Sequence, residues 1–282
     1  MRYISRICLF ICFLLVTACN QDRQKTLPVY EKIEDFYGRK VGTLTGCFQE
    51  ELLEKEYPEI EVLRIDNLSD LMQALATRRC ECALIDDYSY WYYSSSMEGL
   101  ITLDKPFTTA EMGVCFQKGK NQELRESFNE FLKIIKADGT YDDIYNRWMY
   151  HADEYEMPEI VLPKEGKPIR IVTNSTAPPM EYIRNGKLVG MDIEIATRFA
   201  QYVGRPVEWT DMNFSAMIPA LLSGTQDMII SAVNITPQRQ KSIDFSDPYF
   251  TCSSILAIRN ENSAEFTGDD TIEKDGIFAG II

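Results

Sequence analysis

Histidine occurs once in this 282-residue chain, at position 151. A lone imidazole with no Ser, Cys or Asp constellation around it furnishes neither a zinc ligand set nor a catalytic relay. Cations are also scarce. Twenty-nine Lys and Arg against 43 Asp and Glu leave a formal charge of −14, which excludes a nucleic-acid binder that works by neutralising phosphates. Past the N-terminal segment, no apolar run reaches the ~20 residues that a membrane helix needs. Cysteine is present but lacks the paired spacing of a metal site or a disulfide frame. Setting aside Cys8, Cys12 and Cys19, the odd set Cys47, Cys80, Cys82, Cys115 and Cys252 remains. These read as small buried hydrophobes, with Cys80 and Cys82 expected on one face of a strand; a disulfide, which a secreted location permits but the spacing does not specify, is the alternative. Nothing implies a metal or a cofactor.

The N-terminus carries Arg2 and Arg6, an apolar run over residues 7–16, then Val16-Thr17-Ala18-Cys19. That is the layout of a secretory signal, and the run is too short to span a bilayer. The tetrapeptide is similar to a bacterial lipobox, in which Cys19 becomes the lipidated first residue; an ordinary signal peptide with Cys19 incidental is the alternative. The expected product is extracytoplasmic, lipid-anchored to the bacterial cell envelope (periplasmic). About 260 residues remain, enough for one two-lobed protein or two small domains.

Along the chain, residues 20–37 read as a polar tether. Strand candidates at 40–44, 61–65 and 80–85 alternate with helix candidates at 49–56 and from Asn67, where Leu68, Leu71, Met72 and Leu75 share one face. This rhythm predicts an α/β sheet covered by helices. Residues 111–117 read as one strand, and Leu124, Phe128, Phe131, Leu132 and Ile135 as a helical stripe ended by Gly139. Residues 151–168, with Pro158, Pro163, Gly166 and Pro168, lack either period and read as a linker. A new series begins at 169–172. Asp192 is placed to cap a helix with Ile195, Ala196, Phe199 and Val203 inward and Gly204 closing it. Ser215 is placed to cap another, with Pro219 in its first turn and Gly224 past its end.

Residues 169–259 carry Pro179-Met180-Glu181-Tyr182, Gly190-Met191-Asp192-Ile193-Glu194-Ile195-Ala196, Phe214-Ser215-Ala216-Met217-Ile218-Pro219-Ala220-Leu221, Asp227-Met228-Ile229-Ile230, Ile235-Thr236-Pro237-Gln238-Arg239 and Ile243-Asp244-Phe245-Ser246-Asp247-Pro248-Tyr249. This dense set resembles lobe one of the bacterial extracellular solute-binding proteins, family 3, receptors for polar amino acids. Gly38-Arg39-Lys40-Val41-Gly42, Gln49-Glu50 and Ala83-Leu84-Ile85-Asp86 make residues 38–113 resemble lobe two. Residues 114–150, with Gly139-Thr140-Tyr141-Asp142-Asp143-Ile144-Tyr145 and Trp148, resemble the return to lobe one and the family's terminal helix. The resemblance implies a two-lobed type II clamshell in circularly permuted order. In that order come lobe two, the return segment, a linker (151–168) joining the ordinary termini, lobe one (169–260), and an acidic tail or the start of a missing segment (261–282). Permutation is reasonable because domain termini often lie close together at the surface. The rival is a fragment holding halves of two tandem receptors.

A buried amino acid must have both its carboxylate and its ammonium compensated. The resemblance assigns Arg239, with its planar fork, to the carboxylate and Asp86 to the ammonium, with Asp86 or Asp87 as a helix cap in the alternative reading. It assigns Phe214 to the floor under the ligand side chain, Gly46 to a turn of backbone donors, and Gln49 to a contact from lobe two. Asn234 and Ala232 stand where relatives have a small hydroxyl or glycine contact. Thr236 reads as the cap of the Arg239 helix. Asn174 stands where many relatives have Asp and Ala177 where many have an aromatic ring, which favours a neutral polar ligand over a basic one. The run Tyr88, Tyr90, Trp91, Tyr92, Tyr93 reads either as lining of the cleft mouth or as lobe packing or a partner surface.

The function implied is a non-enzymatic substrate-binding component of an ABC transporter, with an amino acid and a membrane permease as partners. A ligand-sensing module or a non-binding remnant of a receptor–permease fusion is the alternative. A periplasmic dehydratase of the same fold is a third reading, for which only Asp86 and Asp87 offer themselves as acid or base.

Overall fold

The computed structural model describes residues 28–262 apart from 95, 104 and 153; the signal segment, Cys19 and residues 263–282 lie outside the described residues. The first sheet starts from β1 (Lys40–Leu44), which pairs in parallel with β2 (Glu61–Ile65) and β3 (Cys82–Asp86). The crossovers are α1 (Phe48–Glu56) and α2 (Leu68–Ala76). Asn67 caps α2, its side-chain oxygen accepting the Asp70 N–H at 2.8 Å, and Leu68, Leu71, Met72 and Leu75 are all buried as their spacing predicts. After α3 (Asp87–Ser94) the sheet is completed by β4 (Leu100–Thr102), β5 (Thr108–Met112) and the long β14 (Phe250–Arg259), in the order β2-β1-β3-β14-β4 with β5 also on β14.

Two expectations change here. Cys80 lies outside β3 and packs with Leu68, Leu71 and Ile85, whereas Cys82 packs with Leu84 on the opposite face. The strand starts only at Cys82, so strand alternation does not extend back to Cys80. All five described cysteines are free and buried. The tether is shorter than expected, because Tyr30, Ile33 and Phe36 insert into the same apolar cluster as Leu53 and Leu84. A segment whose aromatic and aliphatic residues find a hydrophobic face is part of the folded body.

The second sheet has the order β11-β7-β12-β6-β13. It combines β6 (Cys115–Gln117) from the first half of the chain with β7 (Ile169–Thr173), β11 (Val207–Asp211), β12 (Met228–Ile229) and β13 (Ile243–Phe245) from the second. Beside it stands a small sheet of β8 (Thr176–Ala177), β9 (Glu181–Arg184) and β10 (Lys187–Val189). The helices α4 (Gln122–Ala137), α5 (Thr140–His151) and α6 (Met191–Tyr202) pack together, with Phe128 and Phe131 against Phe199. Residues 154–168 carry no helix or strand, as their prolines predict.

The chain crosses between the sheets twice. Residues 111–117, expected as one strand, are split at Gly113 and Val114 into β5 of one sheet and β6 of the other. The return runs between β13 and β14, so residues 250–259, expected in lobe one, are a central strand of lobe two. The two crossings are hydrogen-bonded to each other through Tyr249 N–H to Met112 O at 3.0 Å and Ser246 N–H to Val114 O at 2.8 Å. Both crossings are short segments at the ends of strands, the kind of position that absorbs backbone rotation in hinge closure.

Helix starts also differ from expectation. Gly190, at φ +130, occupies the N-cap of α6, and Asp192 lies inside its first turn, fully buried. Asn213 precedes α7 (Phe214–Leu222), so Ser215 is its second residue and Pro219 is interior.

Candidate binding cavity between the lobes

A cavity of about 40 Å³ lies where the lobes meet, with walls from both. Its lobe-two wall is set by the ends of β1 and β3. The turn after β1 delivers Cys47 to the N-cap of α1, where its sulfur accepts the Glu50 N–H at 3.4 Å. That places Gln49 inward, and its amide donates to Asp86 Oδ1 at 2.6 Å and to Ser254 Oγ at 2.9 Å. Asp86 ends β3. Its other oxygen accepts the Tyr88 hydroxyl at 3.3 Å, and the Cys252 thiol lies 3.4 Å from Oδ1. Burial, and then the charge of Asp87, push the Asp86 carboxyl up to about 7. Asp87 is instead tied to backbone, accepting the N–H of Tyr88 and of Ser253 at 2.8 and 3.2 Å.

The lobe-one wall contains Asn174, Glu181, Phe214, Ser231, Ala232 and Asn234. Of the residues expected at the site, Asp86, Gln49, Phe214, Asn174, Ala232 and Asn234 therefore come together in one cavity, while Gly46 and Arg239 do not line it. The Gly46 N–H is taken by Glu50 Oε2, and its carbonyl accepts from Arg239 Nη2 at 3.0 Å, so the turn offers no free donor toward the cavity. Gly46 sits at φ +78 within contact range of the Ser215 backbone, a close approach between lobes that a side chain would crowd.

Arg239 is buried at 5 % exposure on α8 (Pro237–Gln240), whose start is capped by Thr236 as predicted. Its Nη1 donates to Asn234 O at 3.1 Å, its guanidinium stands 5.6 Å from the Phe214 ring centre, and Glu51 lies 3.8 Å from Nη2. In this conformation the side chain links lobe one to lobe two, using two of its five donors. Asn174 is likewise engaged, donating to Met212 O at 2.9 Å and accepting the Thr176 hydroxyl.

Sequence reasoning missed Glu181 and Ser231 as wall residues; Glu181 was visible only as part of a motif, whereas Tyr88, from the aromatic run offered as cleft lining or lobe packing, does line the cavity. That run has a divided fate: Tyr88 and Tyr90 are buried, Tyr88 packs edge-on to Phe250 and Tyr92 edge-on to Tyr182 of the other lobe. His151, the last residue of α5, is half-exposed beside Glu154. Among the described residues no cluster of His, Cys, Asp or Glu has a metal-binding arrangement, and no helix is long and apolar enough to cross a membrane.

The chain is 32% identical over 110 residues to the arginine-binding extracellular protein ArtP of Bacillus subtilis, covering 39% of this chain and 43% of that protein. It is 31% identical over 115 residues to a probable histidine-binding protein of Campylobacter jejuni, covering 40% and 45%. A solved ancestral arginine-binding protein bound to arginine is 46% identical over 29% of this chain and 37% of its own, with a TM-score of 0.29. The chain thus spans less than half the length of these two curated relatives. The model of the bacterial extracellular solute-binding proteins, family 3, matches residues 23–151 and again 169–275, and the chain belongs to that family.

Proposed function

We propose that this chain is the extracytoplasmic, lipid-anchored binding component of an ABC importer, which draws its two lobes together around one polar amino acid and presents it to a membrane permease. The observation that carries the reading is the interlobe cavity, in which the partly buried carboxyl of Asp86 on lobe two faces polar groups of lobe one. An ionised Asp86 pairs with the ligand's ammonium, and the donors of Arg239 not used between the lobes take its carboxylate. At about 40 Å³ the cavity is far below the ~300 Å³ at which small-molecule pockets begin. Ligand entry therefore requires the lobes to part, and ligand contacts to both walls then stabilise closure. With Asn174 engaged by its neighbours and Ala177 too small to stack, a neutral polar amino acid is the favoured ligand. Arginine and histidine, for which the relatives are named, are the direct competitors in any test.

The chain order is read as a circular permutation. Its support is that β14 sits between β3 and β4 while β6 sits between β12 and β13, so each sheet is built from both halves of the chain. A thermal-shift screen of the twenty common amino acids on protein lacking residues 1–19 tests the function. A melting point raised by at least one of them is the expected result, because a ligand of the native state alone stabilises it. A flat screen sinks the receptor reading and favours a non-binding remnant.

A further inference from the structure

Two carboxyl groups lie side by side under the lobe-one wall of the cavity without a cation. Glu181, on β9, is 1 % exposed, and Asp192, in the first turn of α6, is fully buried. Three of the partners they do have belong to the wall or the hinge. The Ser231 hydroxyl donates to Glu181 Oε1 at 2.6 Å, the Ala232 N–H donates to Asp192 Oδ2 at 2.8 Å, and the Tyr249 hydroxyl donates to the same oxygen at 2.9 Å. The remaining oxygens, Glu181 Oε2 and Asp192 Oδ1, are both buried without a donor. Neither residue joins an ion pair among the described residues. Glu194, one half-turn on in α6, takes Arg147 and Arg198 for itself. The other groups facing the pair are Asp211 on β11, which adds negative charge, and the phenols of Tyr88, Tyr141 and Tyr249.

Two adjacent carboxylates buried with no counter-ion carry a large desolvation and repulsion penalty, which one proton removes. We propose that Glu181 and Asp192 hold a single proton between Oε2 and Oδ1 and act as a positioning pair that fixes the Ser231–Ala232 wall of the binding cavity. With that proton the hydrogen bonds run without a gap: Asn174 N–H to Ser231 Oγ, Ser231 O–H to Glu181, Glu181 O–H to Asp192, and Ala232 N–H and Tyr249 O–H to Asp192. The chain closes on two successive residues of the wall. It accounts for Ala232 holding φ +48, a left-handed conformation that a non-glycine residue keeps only when its surroundings fix it. Asp192 accepts two hydrogen bonds through Oδ2 and Glu181 one through Oε1, which favours the charge on Asp192 and the proton on Glu181; burial and the neighbouring carboxylate raise the Glu181 carboxyl above its usual range in the same sense. Loss of the proton sets two charges against each other beneath the wall and frees both Ser231 and the hinge residue Tyr249.

The pair can be read without any ligand, so its failure is distinct from failure of the receptor reading. Infrared spectra of the whole protein at pH 8, above the value of about 7 for Asp86, are expected to show the carbonyl stretch of a neutral carboxylic acid in wild type that disappears in Glu181→Gln. The melting temperature of wild type is expected to fall between pH 5 and pH 8 more steeply than that of Glu181→Gln, whose amide donates to Asp192 but does not titrate. Absence of the band, its persistence in Glu181→Gln, or equal slopes overturns the proposal. If Glu181→Gln does not fold, carbon-13 NMR of labelled glutamates in wild type decides. A neutral carboxyl shift for Glu181 at pH 8 supports the shared proton and an ionised one overturns it.

Discussion

Asp86 ties the chemistry of the cavity to pH. Its carboxyl is raised from 3.8 to about 7 by burial, so the folded protein holds a proton there that the unfolded chain releases. The sign follows directly: this contribution to stability is complete below pH 4 and is lost as pH rises to about 7. At 1.36 kcal/mol per pKa unit, the span is on the order of 4 kcal/mol. Ligand-free Asp86→Asn is therefore expected to show a shallower fall of melting temperature between pH 4 and 7 than wild type. On the proposed function, pairing with a ligand's ammonium reverses the preference and ionises Asp86. Binding at pH 6 is then expected to release close to one proton, measured by calorimetry in buffers of different ionisation enthalpy, and to tighten as pH rises toward 7. Arg239→Ala is expected to weaken the same binding by about 2–5 kcal/mol, and unchanged affinity would remove Arg239 from the site. Asp86 at a strand end and Arg239 in a Thr-Pro-x-Arg helix start were both legible in the sequence. Their bonds in this conformation were not, because Gly46 and Gln49, which engage them, approach through lobe closure and helix packing.

At the scale of elements, α5 is held to lobe one by one buried carboxylate. Glu194 accepts Arg147 Nη1 at 2.7 and 2.8 Å, Trp148 Nε1 at 2.9 Å and Arg198 Nε at 2.9 Å. Removing one partner of a buried charged network leaves the others uncompensated, so Glu194→Ala is expected to lower unfolding stability by about 3–5 kcal/mol in urea titrations. The turn into α6 has a different constraint. A Cβ on Gly190 would overlap the Met180 carbonyl at a φ that L-residues avoid, and Gly190→Ala is expected to destabilise by more than about 2 kcal/mol in the same assay. Helices with a clear stripe, such as α4 with Phe128 and Phe131, were predictable because periodicity alone places their buried face. The starts of α6 and α7 were misplaced for a physical reason. Asp192 resembles a cap in sequence but is drawn inward by the Ala232 N–H and Tyr249 hydroxyl, contacts from residues some forty and more positions away.

For the molecule as a whole, the two halves of the chain depend on each other. Residues 28–151 lack β14, which lies between β3 and β4, and residues 169–262 lack β6, which lies between β12 and β13. Each half produced alone is expected to be unfolded or aggregated, and co-expression is expected to restore a cooperative unfolding transition. Two halves that each unfold cooperatively on their own would instead favour fragments of tandem receptors. The sequence by itself determined the family, the α/β rhythm and, among the polar residues around the cavity, Gln49, Asp86, Asn174 and Asn234, because motifs and periodicities are local. Only the tertiary structure decided that residues 111–117 divide between two sheets, that residues 250–259 belong to lobe two, that Arg239 spans the lobes, and that Glu181 and Asp192 meet. Strand partners and carboxyl neighbours are chosen by contacts distant in sequence, and no local pattern encodes which of them close on one another.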